Sequence, residues 1–457
     1  MKNEIEKVIK KNDQFVVKIE SLGMNGEGVC HVNGQVVFVQ FALPGEEVLI
    51  QIVNTKTKIA IGKVVKFLSK SEHRVEPACP YFGKCGGCDL MHMDYPYQLE
   101  FKREQVQKNL KNIGHIDVNV DACQESRPLF YRNKMSLPIS GESGETKIGF
   151  YRENSHDLIE IDDCLITDKF CKNVIKIIKK YIKTQNISGF CEKTGSGLLK
   201  HIVARRLSDT LTLTLVTTSD KLPKLESLYN ELVAVFGKVV LYVNINKLNN
   251  NVIFGKEFLL KFGKPVSEEI CGLKVNVNPE SFMQINNEIR DKIYAKVLDE
   301  IEAGVVVLDV YSGAGIMTGI TSKKSSESYG LEIVEAATRD ADNLARENKI
   351  GNMININGDA TKTLPSLVKK INNQKINIVL DPPRKGCTSE VLKAVADAKP
   401  DKIIYVSCNS ATLSRDLALL LNMERKLKIK SVTPFDMFPG TRHCEVVCVI
   451  ERVKDYG

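Results

Sequence analysis

Downstream of about residue 276, near-continuous apolar runs alternate with helix-like stretches: "VVVLDVYSG", "SYGLEIV", "NIVLDPP", "DKIIYVSC" and "EVVCVIERV". Strands that are apolar at almost every position are buried on both faces, as in a doubly wound, largely parallel sheet of an α/β domain. Residues 16–68 have a different texture. Short alternating runs (Val16, Val17, Ile19; Val36 to Val39; Val48, Ile50, Ile52) are separated by Gly-containing turns, which predicts a small antiparallel β-barrel. Residues 95–113, "YPYQLEFKREQVQKNLKNI", predict an amphipathic helix with a basic outer side. From about 127 to 275 the pattern is mixed, with strands in "LKHIVARR" and "LTLTLVTT" and a helix near 169–185. On that helix Ile175, Ile178 and Ile182 form the apolar stripe, and Lys172, Lys176, Lys179 and Lys183 form a solvated face. The expected organisation is a barrel over 1–69, a mixed α+β central domain over 70–275 and an α/β domain over 276–457, with the helix at 95–113 packing on the last. There are no internal repeats and no low-complexity tract.

A chain of 457 residues is too long for one ordinary domain, and its 43% hydrophobic and 26% charged content is that of a soluble globular protein. The start, "MKNEIEKVIKKN", has no apolar core and is not a secretory signal. No apolar run approaches the ~18–20 residues of a membrane span, so a cytoplasmic protein is expected. The net charge of +8 is compatible with a polyanionic partner without demonstrating one. The thirteen cysteines change the picture more: in a reducing compartment they suggest metal binding or catalysis before a disulfide framework.

The candidate chemistry lies at the strand ends, where open α/β sheets place their ligands. "VVVLDVYSGAGIMTG" (305–319) is a strand, an acid and a Gly-rich turn, and Glu332 follows about 20 residues later on a second strand. Gly313 and Gly315 let backbone approach a ligand, and Glu332 can accept from ribose hydroxyls. Such a turn alone suits NAD, FAD or S-adenosylmethionine. "GDAT" (358–361) then puts Asp359 near an adenine amino group, and "LDPPRKG" (380–386) holds Asp381 rigidly through Pro382-Pro383, with Arg384 and Gly386 in the following turn. Asp381 as a plain helix cap is disfavoured, because Pro-Pro is a costly way to build one. Finally, "IIYVSCNSATLSRDL" (403–417) sets Cys408 between a strand and a helix N-terminus. A lone Cys is more often a packing residue; here the helix dipole would favour its thiolate. That order of elements suits a methyltransferase using S-adenosylmethionine.

"ESFMQIN" (280–286), "DVYSGAG", "GLE", "LDPPRKG", "YVSCNSATLSRD" and "FDMFPGTRHCE" (435–445) occur in the order found in the RNA uracil-5-methyltransferase family, which this chain resembles through its whole C-terminal domain. The resemblance implies a Rossmann-like class I methyltransferase domain, preceded by an OB-like barrel similar to a TRAM domain. It also implies Cys408 as nucleophile, Glu445 as general base, and Asp381 as a residue at the boundary of cofactor and uracil. Gln284, Tyr311 and Glu332 match the family's S-adenosylmethionine contacts, beside Gly313 and Asp359. Cys444 and Gly440 depart from the more usual Val and polar residue, and "GIMTG", with Ile316, is atypical.

"CPYFGKCGGC" supplies Cys79, Cys85 and Cys88, and Cys164 lies far downstream in "IDDCLI". The spacing alone leaves zinc and an iron–sulfur cluster nearly even, since both take four thiolates. The resemblance favours a 4Fe-4S cluster, which the 23S ribosomal-RNA branch of the family carries at these positions; His92 is kept, with Met91 before it. Cys30, Cys123, Cys171, Cys191, Cys271, Cys387 and Cys448 are read as packing residues. The expected function is methylation of carbon 5 of a uridine in 23S rRNA by a monomer with no obligate protein partner and no membrane association. The alternatives are a transfer-RNA uracil-5-methyltransferase and, in a different class, a cluster-bearing RNA-binding protein with an inactive methyltransferase domain. An amino-group methyltransferase would have no use for Cys408.

Overall fold

The structure is a computed structural model that describes residues 9–56, 58–141, 145–153, 155–280, 283–371 and 374–453. Ser281 and Phe282 of the "ESFMQIN" motif lie outside the described residues. Two compact units are distinguished. The first runs up to Lys102 and includes Tyr151–Asp157 and Phe438–Arg442; the second holds the remainder.

In the first unit the alternating segments form a six-stranded sheet in the order Gln14–Lys18, Glu47–Thr55, Ile59–Phe67, Gln35–Gln40, Gly28–Val32, Ser21–Leu22. The period of two turns Val48, Ile50 and Ile52 inward to meet Val37 and Val39, all 0% exposed. The curl is drawn in where Glu20 N–H donates to Val29 O at 2.8 Å. One pairing differs from the expected antiparallel barrel: Gln35–Gln40 and Ile59–Phe67 run parallel, with Val36 opposite Ile59. Alternation fixes which face is buried and carries no information on strand direction, so this could not be read from the pattern.

The second unit contains a seven-stranded sheet ordered Glu257–Phe262, Lys238–Ile245, Thr210–Thr217, Leu199–Leu207, Lys134–Ser140, Lys147–Tyr151, Leu158–Glu160. The helix Phe170–Thr184 buries Val174, Ile175, Ile178 and Ile182, the stripe expected from its sequence. Another seven-stranded sheet follows, ordered Met353–Asn357, Glu327–Glu332, Val306–Val310, Ile376–Leu380, Lys402–Ser407, Glu445–Arg452, Leu427–Phe435. Its first five strands are parallel, and Glu445–Arg452 runs antiparallel to both neighbours. Every residue of Val306–Val310, Ile376–Leu380 and Lys402–Ser407 is buried, which is why these segments are apolar without alternation. The helix Tyr95–Asn112 contributes Val106 and Leu110 to the core of this sheet, and Asn109 Nδ2 donates to Ser410 Oγ at 2.8 Å. Among the described residues no helix is long and apolar enough to cross a membrane.

Candidate active site

The strand order reverses beside Val306–Val310, with Glu327–Glu332 on one side and Ile376–Leu380 on the other, so a crevice opens at the carboxyl ends of these strands. A cleft of about 650 Å³ lies there. Its lining includes Gln284, Tyr311 and Gly313 together with a second set, Asp381, Arg384, Cys408 and Glu445. Three chain segments distant in sequence supply the last group. Asp381 follows the strand Ile376–Leu380, and Cys408 follows Lys402–Ser407. Glu445 begins the antiparallel strand; Ser407 pairs with Val446, which sets Glu445 level with Cys408. Reversal of that one strand brings its first residue to the edge where its neighbours end.

The Gly-rich turn is built by backbone conformations that most residues avoid. Tyr311 has φ +71° and Gly315 φ +77°, and a Cβ on Gly315 would come within 2.6 Å of the Ala341 Cβ. Asp309, 1% exposed, accepts from Thr318 Oγ1 at 2.6 Å and lines the cleft. Burial, opposed by that hydrogen bond and helped by Asp381 and Glu332, pushes Asp309 up to about 7. Glu332 lies beside the turn and spends its oxygens on backbone: Oε2 accepts from Gly313 N–H at 3.0 Å and Oε1 from Val334 N–H at 2.8 Å. Asp359 does not line the cleft. Its Oδ1 accepts from Thr361 N–H at 2.9 Å and Thr361 Oγ1 at 2.8 Å at the start of the helix Ala360–Ile371, and these bonds hold the carboxyl below its ordinary range.

The cleft lining is acidic. Glu280, Asp309, Asp340, Asp381 and Glu445 line the cleft with one guanidinium, that of Arg384. Glu445 is 4% exposed, and burial together with Asp381, against the pull of Arg384, raises it to about 8. Enclosure by surrounding protein raises Asp381 to about 6; its side chain stays open to cleft water, so that shift carries less energy than the one at Glu445. Asp381 caps no helix: Thr388 caps Ser389–Asp397 by accepting from Val391 N–H.

The Cys408 thiol is raised above its ordinary value, first by burial and then by Glu445 and Asp381, while Arg384 lowers it by charge and hydrogen bond. The helix Ser410–Met423 does start beside the thiol, but Asn409 Oδ1 takes its first amides, Ala411 N–H at 3.0 Å and Thr412 N–H at 3.4 Å. Arg384 had been read as a turn residue and Asp309 as an unassigned acid. The available signals were a cation directly after Pro-Pro and a carboxylate inside an otherwise apolar strand.

The cysteine loop belongs to the first unit and Cys164 to the second; Cys79, Cys85, Cys88 and Cys164 are all half-buried and none is in a disulfide. Cys85 N–H donates to Tyr81 O at 2.9 Å, and Gly87 leaves room for the Cys85 sulfur, 3.4 Å from where a Cβ would stand. The donor chemistry suits iron–sulfur or zinc. However, no group of three or more His, Cys, Asp or Glu side chains poised for a metal is found among the described residues, so no step is derived through such a group. Of the cysteines read as packing residues, Cys30, Cys123, Cys171, Cys387 and Cys448 are buried, whereas Cys191 and Cys271 are half-exposed.

A sequence profile described as tRNA (Uracil-5-)-methyltransferase matches residues 94–453, and a TRAM domain profile matches residues 11–65. An uncharacterized RNA methyltransferase of Clostridium acetobutylicum is 39% identical over 461 residues, covering 98% of this chain and 100% of its own. One from Caldanaerobacter subterraneus subsp. tengcongensis is 37% identical, covering 97% and 99%. Among solved structures, the Pyrococcus abyssi tRNA (uracil-54, C5)-methyltransferase in complex with S-adenosyl-L-homocysteine superposes with a TM-score of 0.77 at 25% identity, over 95% of this chain and 100% of that one.

Proposed function

The chain belongs to the tRNA (uracil-5-)-methyltransferase family, with a TRAM domain and the fold of an S-adenosylmethionine-dependent methyltransferase, and from that premise we propose that it methylates carbon 5 of a uridine in 23S rRNA through a covalent adduct on Cys408. The observation behind this reading is the meeting of Cys408, Asp381 and Glu445 in the cleft that Gln284, Tyr311 and Gly313 also line.

Carbon 5 of uracil is too weak a nucleophile to be methylated directly at neutral pH. Addition of the Cys408 thiolate to carbon 6 moves the ring's double-bond electrons towards oxygen 4 as an enolate, and carbon 5 becomes nucleophilic. When bound, S-adenosylmethionine supplies an electrophilic sulfonium methyl group to that carbon. Glu445 then accepts the proton from carbon 5; the released electron pair re-forms the ring double bond and the thiolate leaves. Asp381 steadies the uracil edge, and Arg384 stabilises the charged forms of both Cys408 and Glu445. The acidic lining suits a cofactor with a cationic sulfonium, and a cation bound there would favour the ionised carboxylates. A thiol cannot reach carbon 6 inside a stacked helix, so the target base is turned out of its stack, while the barrel and the central domain grip the RNA backbone.

Cys79, Cys85, Cys88 and Cys164 are the proposed ligands of one structural 4Fe-4S cluster, with zinc as the alternative; the spacing of the first three around Gly86-Gly87 supports this. The protein is proposed to act in the cytoplasm as a monomer. A transfer-RNA substrate is the second reading, favoured by the likeness to the Pyrococcus abyssi enzyme. Quantifying 5-methyluridine in separated 23S rRNA and tRNA from a deletion strain decides between them. Loss confined to 23S rRNA supports the first reading, loss confined to tRNA supports the second, and no loss in either overturns both.

A further inference from the structure

Behind the catalytic turn lies a buried acid that the mechanism above does not use. Asp416, 0% exposed, sits on the helix Ser410–Met423 that starts just after Cys408. Its Oδ2 accepts from Tyr405 Oη at 2.7 Å and Cys387 N–H at 2.8 Å, and its Oδ1 from Arg415 Nε at 2.8 Å and Nη2 at 2.6 Å. Arg415 Nη2 also donates to Lys385 O at 2.9 Å. The carboxylate and its guanidinium partner therefore grip the backbone of residues 385–387 on both sides of Gly386. Gly386 has φ +76°, and a Cβ there would run into both the Asp416 carboxylate and the Arg415 guanidinium. The turn closes on itself where Gly386 N–H donates to Pro383 O at 2.8 Å, and Thr412 Oγ1 donates to Arg384 O at 3.3 Å. Arg384 is thus carried on a turn with no slack, stitched to the helix that follows the thiol.

Resting on the reading of Cys408 as nucleophile, we propose that Asp416 is a positioning residue, which clamps the Pro383–Cys387 turn so that the Arg384 guanidinium stays directed at the Cys408 sulfur. A buried, fully bonded carboxylate is rigid because each lost bond leaves a group unsatisfied in a low dielectric. Rigidity matters here because Cys408 shares the cleft lining with Arg384 on the turn, Asp381 just before it and Glu445 at the start of the antiparallel strand. With two acids raising the thiol and one cation lowering it, a drift of Arg384 tips the balance towards the unreactive thiol. Asp416 touches neither substrate nor cofactor in this account; it acts through Arg384 alone.

The test reads thiol reactivity directly, in the full-length protein without RNA. Iodoacetamide alkylation of the Cys408 peptide is followed by mass spectrometry as a function of pH in wild type, Asp416→Asn, Arg384→Gln and the double variant. Asp416→Asn should alkylate about tenfold more slowly near neutral pH, the scale of one charge-assisted hydrogen bond, with its pH profile displaced upward. The double variant should be no slower than Arg384→Gln alone, because both changes remove the same interaction. A lowered melting temperature with an unchanged Cys408 profile, or effects that multiply in the double variant, would overturn the proposal. Should Asp416→Asn fail to fold, Arg415→Gln decides: the side chain is 47% exposed, so its loss slackens the turn while Asp416 stays in place. A smaller shift in the same direction supports the clamp, and no shift overturns it. If Cys408→Ala retained turnover, the nucleophile reading would fail, whereas the alkylation result would still report whether the clamp exists.

Discussion

Glu445→Gln separates two consequences of one buried carboxyl. In the folded protein burial and Asp381 hold Glu445 up to about 8, against an ordinary value of 4.5, and the side chain is 4% exposed. Between those two values the folded state keeps a proton that the unfolded state has released. Stability therefore falls as pH rises through that window: the penalty is absent below about 4.5 and complete above about 8. At ~1.4 kcal/mol for each tenfold change in proton affinity the full penalty is on the order of 5 kcal/mol. A glutamine of the same shape has no such penalty. Urea unfolding at about pH 5 and about pH 9 should show the variant gaining on wild type at the higher pH by roughly that amount. Parallel stability curves for the two proteins would refute the assignment of a proton to Glu445. The second consequence is chemical. Glutamine leaves thiol addition and methyl transfer intact but cannot take the carbon-5 proton, so the variant should stay bonded to methylated RNA and run as a slow band on a denaturing gel. Free methylated RNA released at the wild-type rate would remove Glu445 from the role of base.

Cys408→Ala should give neither methylated RNA nor a covalent band, and RNA carrying 5-fluorouridine at the target should trap the wild type but not this variant; retained turnover would make the thiol a packing residue. Gly315→Ala forces a Cβ within 2.6 Å of Ala341 at φ +77°, and should cost about 2 kcal/mol or more in stability and weaken S-adenosylhomocysteine binding in calorimetry; an unaffected protein would contradict the turn geometry. Protein purified without oxygen should be brown with about four irons per chain, whereas a colourless protein with one stoichiometric zinc would replace the cluster by the alternative. RNA affinity should fall steeply with added salt as phosphate contacts release counterions, and affinity unchanged by removing residues 1–68 would exclude the barrel from binding.

The doubly wound sheet was legible because its central strands are buried on both faces, and in a segment such as Ile376–Leu380 only Asn377 interrupts the apolar run. The approach of Cys408 to Asp381 was legible for a related reason: both follow parallel strands, and parallel strands end at one edge. Glu445 needed the reversal of its strand, which no apolar pattern announces, and only the resemblance pointed to it. Glu332 and Asp359 show what a motif conceals, since Glu332 turns both carboxyl oxygens to nearby amides and Asp359 turns Oδ1 to the Thr361 amide and hydroxyl. The departures at Met91 and Gly440 looked unrelated in the sequence. In the structure they meet: Gly440 has φ +78°, and a Cβ there would lie 3.4 Å from the Met91 side chain. Gly440 O accepts from Asp89 N–H at 3.0 Å and Leu90 N–H at 2.9 Å, so a glycine in the left-handed region and an adaptable Met side chain fit each other at that crossing.

The electrostatics of the cleft add to what the helix alone implies for the thiol. A sequence shows that a helix begins after Cys408, and the dipole argument follows from that alone. It does not show that Asn409 has already taken the first amides, nor that two carboxyls face the sulfur. With those in place the thiol is held above its ordinary value. The acids that restrain Cys408, Asp381 and Glu445, are the groups whose charge a bound sulfonium would balance. By linkage, whatever cation the acids bind must raise the thiolate fraction to the same extent that the thiolate strengthens its binding. On the proposed reading of Cys408 as nucleophile, control of the thiol is then shared between the surrounding carboxylates, Arg384 and the helix that follows it.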